Sequence, residues 1–175
     1  ECLLPEDHVE SRGAVGTADL DGNGIPDLVA ISYAHVHALH GREPGRLWVR
    51  EEPAAVGRVT IAPDVDGDGA PEVLLLGTRR PLLLCGADGR IVRQIDDREV
   101  DFQVATSADV VPGGLLEWVI QGRNGLKLLD SRSGETVGSV PLEGANCPSP
   151  TVVADIDGDG IPEMLVAHDA PEGGV

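Results

Sequence analysis

Hydrophobic residues in this chain come in short runs separated by polar, turn-forming stretches. Leu28-Val-Ala-Ile-Ser, Val73-Leu-Leu-Leu-Gly and Met164-Leu-Val-Ala-His each follow a Pro and an acidic residue, the pattern of a strand bounded by turn residues. Another run precedes each of these and one further acidic stretch: Ala14-Val-Gly-Thr-Ala, Arg58-Val-Thr-Ile-Ala, Gln103-Val-Ala-Thr-Ser and Thr151-Val-Val-Ala. A third type ends in a turn, as in Val36-His-Ala-Leu-His-Gly, Leu82-Leu-Leu-Cys-Gly and Leu126-Lys-Leu-Leu-Asp-Ser. A fourth follows that turn, as in Gly45-Arg-Leu-Trp-Val-Arg, Gly89-Arg-Ile-Val-Arg and Gly134-Glu-Thr-Val-Gly. Apolar residues nowhere sustain helical spacing, and 23 Gly with 13 Pro suit a meander of tight turns.

The polar stretches repeat as well. Three read Asp19-Leu-Asp21-Gly-Asn23-Gly-Ile25-Pro-Asp27, Asp64-Val-Asp66-Gly-Asp68-Gly-Ala70-Pro-Glu72 and Asp155-Ile-Asp157-Gly-Asp159-Gly-Ile161-Pro-Glu163. A worn copy, Asp109 to Glu117, has Val111 and Gly113 at its third and fifth positions. The loops start at 19, 64, 109 and 155, intervals of 45, 45 and 46 residues. Such a period marks a repeat architecture, and four short strands per period make the blade of a β-propeller. The expected fold is therefore all-β, a β-propeller of four-stranded antiparallel blades, with blades near 13–52, 57–98 and 101–143 and a partial one at 149–175. A calcium-binding β-solenoid is the alternative, but its repeats are far shorter. Because the fourth blade stops after its second strand, the ring is expected to be incomplete, closed by remaining blades of the same polypeptide or by neighbouring chains.

Oxygen donors at positions 1, 3 and 5 of a Gly-containing loop, a carbonyl near position 7 and a carboxylate at position 9 form a cage for a hard cation. Ca²⁺, which accepts roughly 6–8 oxygens in irregular geometry, suits it better than Mg²⁺. The expected ligands are Asp19, Asp21, Asn23, Ile25 and Asp27; Asp64, Asp66, Asp68, Ala70 and Glu72; and Asp155, Asp157, Asp159, Ile161 and Glu163, with Ile25, Ala70 and Ile161 contributing through the backbone. An EF-hand loop starts alike but takes its last carboxylate at position 12 between helices, whereas position 12 here is Ala30, Leu75 or Val166 within an apolar run. Turn chemistry alone needs one or two Asp or Gly residues, and packing three or four acids together without a cation costs repulsion. Three Ca²⁺ sites are expected, and the worn loop is expected to keep the turn and not the ion.

The Asp-x-Asp-Gly-Asp-Gly-x-Pro-Asp/Glu loop leading into an apolar strand resembles the FG-GAP or VCBS repeat of integrin-α-type β-propellers, over essentially the whole chain. The resemblance implies that each loop joins the first two strands of a blade and binds Ca²⁺. The Phe-Gly tag of that repeat is absent, which removes a specific link to integrins. Ala38-Leu-His-Gly with Gly45-Arg-Leu-Trp, and Leu129-Asp-Ser-Arg-Ser-Gly-Glu-Thr, look like the last two strands of quinoprotein-type propeller repeats.

Composition narrows the function further. A formal charge of −17 argues against nucleic acid or anionic membranes as partners, since both need a basic face. The three acidic loops hold 11 of the 30 acidic residues, so three Ca²⁺ would bring the charge to −11. No apolar stretch is long enough to span a bilayer, and the affinity range of extracellular calcium modules points to an exported protein. Cys2 and Cys147 sit in loop-like sequence and could pair, while Cys85 reads as a buried free thiol. His35 and His37 alternate along a strand with His40 at its end, a structural or solvent-facing set without further transition-metal ligands nearby. Trp48 and Trp118 read as packing residues, and no nucleophile elbow or P-loop is present. The expectation is a non-enzymatic extracellular scaffold for binding or adhesion, with a protein or carbohydrate ligand. The alternatives are part of an extracellular quinoprotein-like oxidoreductase or polysaccharide lyase, or a subunit of a head-to-tail assembly.

Overall fold

The computed structural model describes residues 15–32, 34–52, 58–76, 81–95, 104–111, 116–122, 125–142 and 151–166. Fourteen strands are found among them: β1 Val15–Ala18, β2 Asp27–Ser32, β3 His35–Leu39, β4 Arg46–Glu51, β5 Arg58–Ala62, β6 Glu72–Leu76, β7 Leu82–Leu84, β8 Ile91–Gln94, β9 Val104–Ala108, β10 Glu117–Gly122, β11 Gly125–Asp130, β12 Thr136–Pro141, β13 Val152–Ala154 and β14 Glu163–Leu165. They form three four-stranded antiparallel meanders in sequence order and one two-stranded sheet, β13–β14. Helices are absent among the described residues. The chain divides into two compact units, Glu1–Asp96 and Asp97–Val175.

Each four-stranded sheet grades from buried central strands to more exposed outer ones. In β6, Val73, Leu74, Leu75 and Leu76 are all fully buried, whereas β2 alternates, with Val29 and Ile31 turned inward. Two of the three fourth strands carry charge, Arg46, Arg50 and Glu51 on β4 and Arg93 on β8, residues that discourage pairing with another chain at a free edge, whereas β12 has none. The third and fourth strands lose register at Ala38/Leu39, Leu83/Leu84 and Leu128/Leu129. These positions are separated by 45 residues each time, so the repeat extends to its irregularities.

Within the first unit, the two sheets share one apolar core of Leu20, Val29, Ile31, Val36, Ala38, Trp48, Val73, Leu75, Leu82 and Leu84. Trp48 donates its indole Nε1–H to the Gly86 carbonyl at 2.6 Å and lies against Gly89, satisfying its polar atom while burying the ring. A Cβ at Gly86 would strike the Pro71 carbonyl and lie 2.8 Å from Leu20 Cδ2, and one at Gly41 would strike the Pro26 carbonyl. Glycine is thus required where the turn after the third strand passes beside the acidic loop. In the second unit, Val119, Leu126 and Leu128 of the third sheet pack with Val110, Leu142, Val153, Met164 and Val166.

His35 and His37 separate in environment. His35 is exposed and His37 is buried, with its Nε2 2.8 Å from Ser32 Oγ and its Nδ1 without a partner. Among the described residues neither belongs to a group able to hold a metal. Burial, aided by His35 and Arg46, holds the His37 pKa below the ordinary 6.5, because a protonated ring would bury an uncompensated N–H donor.

Two expected outcomes follow from this packing. Gly86→Ala lowers stability by about 1–3 kcal/mol, seen as a lower urea midpoint with unchanged slope; a midpoint equal to the parent's would contradict the close approach. A depressed pKa on a base means that neutral His37 contributes stability fully present above 6.5 and lost progressively as the pH falls from there to its folded value. Melting temperature in chelator should therefore drop as the pH goes from about 6.5 to 5, and His37→Gln should flatten that drop.

Candidate metal centres

Each acidic loop joins the first strand of a sheet to the second. The last alanine of the first strand faces the position-9 carboxylate across the ladder: Ala18 with Asp27, Ala62 with Glu72, Ala108 with Glu117 and Ala154 with Glu163. Loop two is one residue longer, because Pro63 stands between Ala62 and Asp64 and has no N–H to extend the ladder.

The position-9 side chains turn back over the loop. Asp27 is buried and accepts from Leu20 N–H at 3.0 Å and Gly41 N–H at 2.9 Å. Glu72 is buried and accepts from Val65 at 3.0 Å and Asp66 at 3.1 Å. Glu163 accepts from Ile156 at 2.7 Å. Glu117 of the worn loop does the same with Val110 at 2.9 Å and Val111 at 3.1 Å. Backbone capping is thus a duty of position 9 in all four copies, independent of the acids at positions 3 and 5. Burial, then the charges of Asp66 and Asp64, raises the Glu72 pKa against the lowering effect of its backbone bonds.

The other carboxylates brace the turn. Asp19 accepts from Asn23 and Gly24, Asp64 from Gly67 and Gly69, and Asp155 from Gly158 and Gly160, at 2.7 to 3.0 Å. One oxygen of Asp21, Asp66 and Asp157 takes the N–H two residues on, at 3.1 Å in each loop. Asn23, Asp68 and Asp159 accept from Ile25, Ala70 and Ile161. These self-bonds need a left-handed backbone between donor and acceptor, with φ of 74° at Gly22 and 84° at Gly24.

Two oxygens can share one Ca²⁺ only when they lie within about twice its 2.3–2.6 Å bond length. Donor atoms of Asp64, Asp66 and Glu72 meet that condition, all within 4.8 Å of one another, as do those of Asp155, Asp157 and Glu163. In loop one the converging set is Asp21, Asp27 and His40, and in loop two a second set is Asp66, Asp68 and Cys85. Loops two and four thus gather three carboxylates that fit a hard cation, and loop one gathers two carboxylates with an imidazole nitrogen. Asp19 and Asp159 fall outside the converging sets, and Gly113 of the worn loop lies outside the described residues.

His40 and Cys85 have equivalent places. Leu39 pairs with Leu28 and Leu84 with Val73, so the next residues, His40 and Cys85, stand beside Asp27 and Glu72. His40 Nδ1 is 3.5 Å from Asp21 Oδ2. Cys85 is a buried free thiol that donates to Asp68 Oδ2 at 2.9 Å. Burial and that bond push the thiol up to about 12, so it remains protonated and unreactive at neutral pH; the same bond is the largest influence lowering the Asp68 pKa. Cys2 and Cys147 lie outside the described residues.

Arg90 completes the surroundings of loop two. Its guanidinium donates to Asp66 Oδ2 at 3.0 Å through both terminal nitrogens and to Asp68 Oδ2 at 3.2 Å, with Nε 3.5 Å from Asp88. In the sequence Arg90 stands out only as part of a fourth strand. Its nearness to the loop is signalled by the hairpin spacing, since His40–Gly45, Cys85–Arg90 and Asp130–Glu135 close equivalent turns by an N–H to carbonyl bond of 3.1, 2.9 and 2.9 Å.

No family model matches the chain, and no curated protein does. Among solved structures it is similar to the Vibrio cholerae biofilm matrix protein Bap1, at 22% identity and a TM-score of 0.56, over 87% of this chain and 27% of that one. It is also similar to BamB from Moraxella catarrhalis, at 16% identity and a TM-score of 0.56, over 83% of this chain and 48% of that one. The fold is β-propeller-like. The chain spans about a quarter of the length of the first and about half of the second.

Position-9 capping yields one expected outcome. Glu117→Ala leaves two loop N–H groups without their acceptor and costs about 1–3 kcal/mol, equally in calcium and in chelator. Thermal melts in both conditions check this; a cost that appears only with calcium would show that Glu117 acts through an ion.

Proposed function

We propose that this chain is a calcium-stabilised, FG-GAP-like segment of an extracellular β-propeller that serves as a non-enzymatic scaffold for binding or adhesion. The observation that carries the reading is the recurrence of converging acidic donor sets in the three intact loops. Asp21 and Asp27, Asp64, Asp66 and Glu72, and Asp155, Asp157 and Glu163 are the side chains that would hold the ions. Bound Ca²⁺ would neutralise the clustered carboxylates and stabilise the fold by binding the folded state alone.

The likeness to a biofilm matrix protein supports the extracellular setting, and no helix among the described residues is long and apolar enough to cross a membrane. Among the described residues the sheet β13–β14 has two strands where the others have four, and Val152, Ile156, Ile161 and Leu165 are exposed on it and its loop. That exposure supports an arc of a larger ring, in which further blades of the same polypeptide or a neighbouring chain cover this sheet.

The carboxylate Asp157 tests the calcium role. In calcium, Asp157→Ala should lower the melting temperature by several degrees, and in EGTA it should change it little. Asp109→Ala should show no such dependence. Isothermal titration should count three Ca²⁺ per chain; equal melting shifts with and without EGTA, or no bound calcium, would reject the reading.

A further inference from the structure

The three intact loops are not equivalent toward a cation. Positions 3 and 5 each use one oxygen to brace the turn, which leaves the second oxygen to face an ion. In loop four, among the described residues, no side chain bonds to the second oxygen of Asp157 or Asp159. In loop two both second oxygens are engaged: Asp66 Oδ2 by two nitrogens of Arg90, and Asp68 Oδ2 by Arg90 and by the Cys85 thiol.

Resting on the calcium reading above, we propose that Arg90 is a tethered cation that competes with Ca²⁺ for loop two and sets that loop's affinity below that of loop four. A guanidinium and a divalent ion cannot share the same two carboxylate oxygens without like-charge repulsion, so Ca²⁺ binding requires the guanidinium to leave. Its freedom to do so is visible: the Arg90 side chain is 49% exposed, against 18% for Asp66 and 27% for Asp68. The apparent affinity is then the intrinsic one reduced by the fraction of molecules in which Arg90 has withdrawn. The equivalent hairpin position is Gly45 in the first sheet and Glu135 in the third, so neither of those sheets places such a cation there.

One titration of the full chain resolves the loops. The amide signals of Gly67 and Gly69 report loop two, and those of Gly158 and Gly160 report loop four, as CaCl₂ is added. In the parent chain loop four should saturate first. Arg90→Gln should move the loop-two midpoint to a calcium concentration roughly three- to tenfold lower, as expected for losing a two-carboxylate ion pair at a surface, and leave loop four where it was. Arg93→Gln removes the same charge from β8, the strand that follows Arg90, but among the described residues Arg93 makes no ion pair; it should shift loop two by less than twofold. Arg90→Lys, which keeps the charge but loses the two-pronged contact, should fall between, and it supplies the test if the glutamine variant does not fold. An unchanged loop-two midpoint in Arg90→Gln or in that substitute, or an equal shift in Arg93→Gln, overturns the proposal while leaving the calcium reading standing. A chain in which neither loop responds to calcium overturns both.

Discussion

The carboxylate at the ninth position of each loop, buried as Asp27, Glu72 and Glu117 and half-buried as Glu163, is the constraint on which the rest of the structure depends. Asp27, Glu72, Glu117 and Glu163 stand at the start of the second strand, where the ladder with the first strand ends, and reach back to the N–H groups of the loop they follow. Without that carboxylate each loop would leave one or two N–H donors unpaired, costing about 1–3 kcal/mol each where they are buried. With the cap in place the loop closes tightly, the first two strands share a register, and an apolar loop residue such as Leu20 can be driven into the core. The acids at positions 1, 3 and 5 are then gathered on the outside of a turn that is already shaped.

Much of this arrangement is legible in the amino-acid sequence. The 45-residue interval marks equivalent positions, and the apolar runs between them are too short to be anything but strands. What lies beyond reach depends on contacts distant along the chain. The one-residue difference of loop two turns on Pro63, which follows the last pair of the ladder, Ala62 with Glu72, and has no N–H to extend it. His37 and His40 are close neighbours in sequence, yet one is buried against Ser32 and the other stands beside Asp21. Cys85 and Arg90 reach loop two from the far end of a hairpin, 17 and 22 residues past Asp68. Only the pairing of Val73 with Leu84 brings that turn alongside the loop.

The chain's electrostatics follow a division of labour. Among the described residues most charge sits where water or a cation can answer it, on the loops and on β4 and β8. Several polar groups drawn inward have backbone partners or donate a hydrogen bond to a loop acid, Glu72 bonding two amides, Trp48 a carbonyl and Cys85 the carboxylate of Asp68, while His37 Nδ1 and Trp118 Nε1 have no partner among the described residues. The apolar cores of both units, by contrast, are almost wholly aliphatic.

The scarcity of aromatic residues has a spectroscopic consequence. The chain has two tryptophans, and the unit boundary separates them: Trp48 lies before it and Trp118 after it. Both are shielded from water, but the Trp48 indole is hydrogen-bonded to Gly86 while the Trp118 nitrogen is buried with no acceptor. An excited indole without a hydrogen-bond partner emits further to the blue than one with a carbonyl at 2.6 Å. Each half of the molecule thus carries its own fluorophore, distinguishable in colour, and the loss of structure in one unit can be followed optically apart from the other.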